Sequence, residues 1–149
     1  MKAKPLILSL LDAKRKRSQD STPIKYGDRT EWHNAQGKRH RLDGPALEYA
    51  DGTKEWCVDG KRHRLDGPAL ERASGYKEWW VDGKRHRLDG PAVETFDGHR
   101  EWYVDGMCHR LDGPAVEWAS GDKEWYVAGR HVPVDNQRDF EYWLLGIKI

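Results

Sequence analysis

The chain is short of most things that would make it a compact enzyme. Two cysteines occur in 149 residues, Cys57 and Cys108. They sit at different positions of a repeating pattern, so a disulfide between them is not expected, and two lone thiols suit a reducing cytosol. Hydrophobic residues make up 37% against 34% charged, which argues against a large globular core. No apolar run approaches the ~20 residues that a membrane-spanning helix needs. Leu6–Leu11 is apolar but short and runs into Asp12 and a basic stretch, so it is not read as a signal peptide. There is no Gly-x-Ser-x-Gly, no phosphate-binding glycine loop and no Cys-x-x-Cys. Net charge is only +1, although residues 1–17 carry six cations against Asp12, leaving the remainder net acidic.

What the chain has in abundance is repetition. The stretch Gly60-Lys61-Arg62-His63-Arg64-Leu65-Asp66-Gly67-Pro68-Ala69 has counterparts that place His40, His63, His86 and His109 at a spacing of 23 residues. A second phrase, Lys54-Glu55-Trp56, recurs at Lys77-Glu78-Trp79, Arg100-Glu101-Trp102 and Lys123-Glu124-Trp125. Self-similarity at such a period marks a repeat architecture, whose thin core is shared between neighbours. Eight Trp and six Tyr supply large buried areas to such a core.

Each repeat holds Gly-Pro and further glycines, which excludes helix. Asp51-Gly52, Ser74-Gly75, Asp97-Gly98 and Ser120-Gly121 are read as two-residue hairpin turns. That register sets Leu47 opposite Trp56, Pro45 opposite Val58, Ala46 opposite Cys57 and Glu48 opposite Glu55. It predicts one face of Trp, Val, Leu and Pro, and another carrying the glutamate pairs, the alanines and Cys57, Trp80, Tyr103 and Tyr126. Asp59-Gly60, Asp82-Gly83 and Asp105-Gly106 are read as return turns that set Trp56 opposite His63. The fold class expected is all-β, an elongated repeat sheet of stacked antiparallel hairpins with a C-terminal helical cap. The domain reading is a basic leader over 1–28 with a short helix over Pro5–Arg17 and a linker over Ser18–Pro23, a repeat domain over 29–134, and a capping segment over 135–149. Its helix, near 136–145, is N-capped by Asp135 or Asn136, has an apolar stripe of Phe140, Trp143 and Leu144, and ends at Gly146.

The phrase Glu-Trp-x-x-Asp-Gly-Lys-Arg-His at this period resembles the MORN repeat. More narrowly, it looks like MORN-variant repeats of bacterial and phage proteins of unassigned role, in which His-Arg-Leu-Asp-Gly-Pro-Ala recurs. The resemblance covers about 105 residues. It implies β-hairpins stacked into an elongated sheet and a binding or scaffolding role, with protein partners, self-association and anionic lipid among the family's uses. Fold alone does not assign function.

The repeated polar residues admit several chemistries. Equivalent histidines lie about 10 Å apart if each repeat adds two strands, too far to share a zinc held at ~2 Å, so no metal and no cofactor is expected. A catalytic site needs one asymmetric constellation, and here every copy is alike, so no enzyme is expected. Glu48/Glu55, Glu71/Glu78, Glu94/Glu101 and Glu117/Glu124 would be like charges directly opposite, which calls for Arg41, Arg64, Arg87 and Arg110 to bridge them. Two surfaces remain. Trp80, Tyr103 and Tyr126, with Trp118, form an aromatic stripe suited to a protein partner or a second copy. The alternative is an anion-binding rim of Arg41, Arg64, Arg87, Arg110, His63 and His86, for a nucleotide, nucleic acid or anionic lipid. The function expected is a non-enzymatic, cytoplasmic interaction module of a phage or bacterium.

Overall fold

The computed structural model describes residues 21–147. The helix expected over Pro5–Arg17 lies outside them. The first hairpin joins β1 (Thr22–Lys25) and β2 (Arg29–His33), so the sheet begins inside the stretch read as leader and linker. There follow β3 (Leu47–Tyr49), β4 (Lys54–Glu55), β5 (Cys57–Val58) and β6 (Lys61–Arg62). The same four-strand unit recurs as β7 (Leu70–Glu71), β8 (Lys77–Glu78), β9 (Trp80–Val81) and β10 (Lys84–Arg85). It recurs again as β11 (Val93–Glu94), β12 (Arg100–Glu101), β13 (Tyr103–Val104) and β14 (Met107–Cys108). The last repeat holds β15 (Val116–Glu117), β16 (Lys123–Val127) and β17 (Arg130–Val132), and a single helix, α1 (Gln137–Leu144), follows.

Eleven strands form one antiparallel sheet in the order β1-β2-β3-β4-β7-β8-β11-β12-β15-β16-β17. The remaining strands are three small hairpins that leave the sheet at Trp56, Trp79 and Trp102, where the ladder breaks. These hairpins are stitched together by two backbone bonds at each junction, for example Gly83 N–H to Arg62 O at 2.9 Å and Arg64 N–H to Trp80 O at 3.0 Å.

The two kinds of Asp-Gly turn differ. Asp59 and Gly60 both have positive φ, +50° and +83°, which makes a two-residue type I′ turn. Its pairing, Cys57 with Arg62 and Val58 with Lys61, is the one expected. At the other turn only Gly52 is left-handed, at +90°. Gly52 N–H bonds to Tyr49 O and Tyr49 N–H to Thr53 O, and the Asp51 carboxylate accepts from Thr53 N–H at 2.8 Å. The loop is therefore three residues, a type I turn closed by a left-handed glycine. This corrects the expected register by one residue. Leu47 pairs with Glu55 rather than Trp56, and Glu48 with Lys54 rather than Glu55. Pro45 and Ala46 do not face Val58 and Cys57, which belong to the second hairpin.

A shift of one residue moves side chains between faces. Leu47, Glu55, Leu70, Glu78, Val93, Glu101, Val116 and Glu124 form one row across the sheet, aliphatic alternating with acid. The aliphatic members are buried, each contributing roughly 1.5–3 kcal/mol. The glutamates come from the face expected to be outer. The tryptophans of the Glu-Trp phrase do not share the face of Leu and Val; Trp56 falls on the side of Glu48 and Lys54. Ala46, Ala69, Ala92 and Ala115 are fully buried beside the break in the ladder, where Trp56 N–H bonds to Ala69 O at 2.8 Å.

At the end of the array, Asn136 caps α1 by accepting from Asp139 N–H at 3.0 Å, and Asp139 sits favourably in the first turn. Of the expected stripe only Phe140 is buried. Trp143 and Leu144 stay exposed.

Candidate functional site

Two polar systems arise from the register, one on each side of the sheet. On the aliphatic side, arginines of the second hairpins reach back to the acid row. Arg62 donates to Glu55 at 3.1 Å and to Glu78 at 3.2 Å, and Arg85 donates to Glu78 at 2.6 Å. Glu31 accepts from Arg29 and Arg39 at the start of the array. An ion-pair ladder therefore exists, but Arg39, Arg62 and Arg85 build it, not the arginines expected. Burial pushes the Glu78 carboxyl up, yet hydrogen bonds from Tyr76, Trp80 and Arg85 outweigh it and hold the group below the ordinary Glu value. In the fourth repeat the ladder arginine is replaced by Cys108, whose thiol burial pushes up to about 12.

The aromatic stripe lies on this side. Trp80 donates its indole N–H to Glu78 at 2.9 Å, and the Tyr126 hydroxyl donates to Glu124 at 2.9 Å. Burial and a bond to Glu101 push Tyr103 up to about 12. All three rings are half-buried, and Arg85 lies between Trp80 and Tyr103, 5.6 Å and 5.3 Å from their centroids. They are components of the ladder. Trp118 stands apart from them, exposed beside His99 with 4.4 Å between ring centroids.

On the other side, the four rim arginines are stapled. The Arg64 guanidinium lies 3.9 Å from the centroid of Trp56. Its Nε donates to Asp66 at 2.9 Å, and one Nη donates to Pro68 O and to Glu71, both at 3.1 Å. A Cβ on Gly67 would sit 2.9 Å from the Arg64 Cζ. The guanidinium is thus sandwiched between an indole and a glycine, which accounts for Arg-Leu-Asp-Gly-Pro as a unit. Arg41, Arg87 and Arg110 stack on Trp32, Trp79 and Trp102 at 4.1, 4.0 and 4.1 Å in the same way. These side chains are engaged within the fold, as are the rim histidines. The Nδ1 of His63 lies 2.9 Å from an Asp82 carboxylate oxygen and 3.2 Å from Asp82 N in the next return turn. His86 meets Asp105 likewise. Among the described residues no group of three or more His, Cys, Asp or Glu is placed to hold a metal ion, and no helix is long and apolar enough to cross a membrane.

Between successive stapled loops lies an open recess, repeated with the array. The second is lined by Leu65, Pro68, Trp79, Val81, His86 and Leu88, and has a volume of about 570 Å³. Its neighbours, over residues 41–66 and 87–112, measure about 670 and 490 Å³. A fourth, of about 470 Å³, lies between the Arg110–Pro114 loop and α1. Leu65 separates one recess from the next and so does Leu88; both are 80% exposed. Leu42 and Leu111 hold the same position and are also exposed. Sequence reasoning passed over these leucines: the stretch 61–65 reads equally as a short third strand or a structured loop, and neither reading gives its leucine a role. The signal that could have found them is an apolar residue kept in every copy on a segment that contributes none to the core. Neither a scan against protein-family models nor a comparison with curated proteins finds a match to this chain.

Proposed function

We propose that this protein is a non-catalytic, MORN-like interaction module of a bacterium or phage that acts in the cytoplasm and binds a protein partner or a second copy of itself. The row of exposed leucines is the observation that carries the reading. A large aliphatic side chain held in water at four equivalent positions contributes little to the fold, whereas contiguous exposed apolar surface marks interaction sites. In this reading the binding surface is the recess row, with Trp80, Tyr103 and Tyr126 serving the ladder on the opposite side. The stapling of Arg41, Arg64, Arg87 and Arg110 weighs against their use as an anion rim. The test replaces Leu42, Leu65, Leu88 and Leu111 together by serine. Melting temperature is expected to hold, while self-association by sedimentation, or capture of a protein from a cell lysate, is lost. Association and capture unchanged by the four substitutions would count against the reading.

A further inference from the structure

Resting on that reading, we propose that the recess row takes a basic polyproline II segment carrying an apolar side chain at every third residue. The spacing of the row suits such a chain. Each repeat adds two strands to the main sheet, so equivalent recesses recur about every 9.6 Å. A polyproline II helix has three residues per turn at ~3.1 Å each, returning the same face every ~9.3 Å. An extended β-strand returns its face every ~6.7 Å, out of step with the row. An α-helix matches only by its heptad, ~10.5 Å, and overshoots by about 1 Å at each recess.

The lining of the recesses suits it as well. Each has an indole on its floor, with proline, valine and leucine around it, the kind of shallow aromatic-lined groove that receives proline-rich chains. Its walls are loops and side chains. Among the described residues the edges of the main sheet are β1 and β17, so the row offers no main-sheet edge for a peptide to extend.

The rim supplies the charge. Asp66, Asp89 and Asp112 stand on it, 85%, 85% and 83% exposed at the side chain. One oxygen of each accepts from the stapling arginine, which holds the carboxyl below its ordinary value. The other oxygen is left for a cation. The result is a row of Asp–Arg pairs in step with the recesses, each carboxylate keeping one oxygen that a peptide Arg or Lys at the same three-residue period can meet.

The experiment uses the full chain and a labelled synthetic peptide, Leu-Pro-Arg repeated four times, followed by fluorescence anisotropy at low and physiological salt. The comparison peptides are one of the same composition with its order permuted, one of two repeats, and a helical peptide with leucine at every seventh position. The periodic peptide should bind at least about tenfold tighter than the permuted and the two-repeat peptides, because linked recesses add effective concentration. Binding should weaken about tenfold in Leu65→Ser/Leu88→Ser and become less dependent on salt in Asp66→Asn/Asp89→Asn. Equal binding of the permuted peptide, tighter binding of the heptad peptide, or no binding at all would overturn the inference. If no peptide binds while the serine substitutions still abolish self-association or capture, this inference falls and the interaction module stands.

Discussion

The tryptophans of the array's interior and the tryptophan at its end sit at the same place in the repeat and are covered differently. Trp32, Trp56, Trp79 and Trp102 lie under a guanidinium and keep part of their surface in water. Trp125 lies against Phe140, 6.4 Å between centroids, and is only 3% exposed. The substitution in sequence is direct: where an interior copy reads His-Arg-Leu-Asp, the last reads Val132-Pro133-Val134-Asp135. Val132, Val127 and Val134 complete a small apolar cluster with Trp125 and Phe140. The difference teaches what an arginine does in this fold. It covers an aromatic ring while staying hydrated and paired, and its loop becomes a wall of the next recess. At Trp125 helix α1 takes the arginine's place, so a phenyl ring covers the indole, whose N–H finds no partner among the described residues.

That contrast can be broken at its end first. Phe140→Ala removes a fully buried ring and should cost about 3–5 kcal/mol, more than any other single substitution in the array, as read by urea denaturation. A cost below about 1 kcal/mol would mean the helix is not the cap. The ladder comes next. Glu78→Gln leaves Arg62 and Arg85 facing a neutral amide in a buried site and should cost roughly 3 kcal/mol. Glu124→Gln, in the repeat where Cys108 has replaced the ladder arginine, should cost well under half as much. Equal losses would show that the ladder does not distinguish interior from end.

The staple predicts a coupling rather than a single loss. Arg64→Ala forfeits the stack and its charged hydrogen bonds, about 1–3 kcal/mol. Gly67→Ala, which presses a methyl onto the guanidinium, should cost about 1–3 kcal/mol. In the double variant the glycine substitution should add little, because the atom it would strike is gone. Additive costs would show that glycine and guanidinium do not press on each other. A gain is expected at the end of the array. Ala128 holds φ +49° where Asp59, Asp82 and Asp105 stand in the interior turns, so Ala128→Gly should stabilise by about 1 kcal/mol, while Asp82→Gly should gain less. The smallest effect is in pH. Glu31 and Glu78 have folded values below their unfolded ones. Their contribution is therefore full above the ordinary Glu value of about 4.3 and is lost as pH falls through the lower folded values. Glu78→Gln should flatten this acid limb in a denaturation series.

Much of the fold was legible beforehand because it depends on local rules. Asp59-Gly60 behaves as the two-residue turn its composition suggests, and Asn136 caps α1 through the hydrogen bond its side chain offers to any N-terminal amide. The glutamates misled. Glu48 and Glu55 look like a clashing pair only if Asp51-Gly52 makes the same turn as Asp59-Gly60. One more residue in the loop sets each first glutamate against a cation instead, and sends the second into the interior to meet Arg62. Arg62 and Arg64 are indistinguishable by type, and two residues apart they would share a face of a continuing strand; they part because β6 ends at Arg62 and Arg64 lies beyond it in the stapled loop.

The 23-residue period, the all-β class and the helical end cap were determined by the amino-acid sequence alone, because glycine, proline and alternation act within a few residues. Which faces the tryptophans and glutamates occupy was decided only in the assembled sheet. An Asp-Gly pair is compatible with a two- or a three-residue turn at similar local cost, and the choice falls to bonds made with the neighbouring repeats.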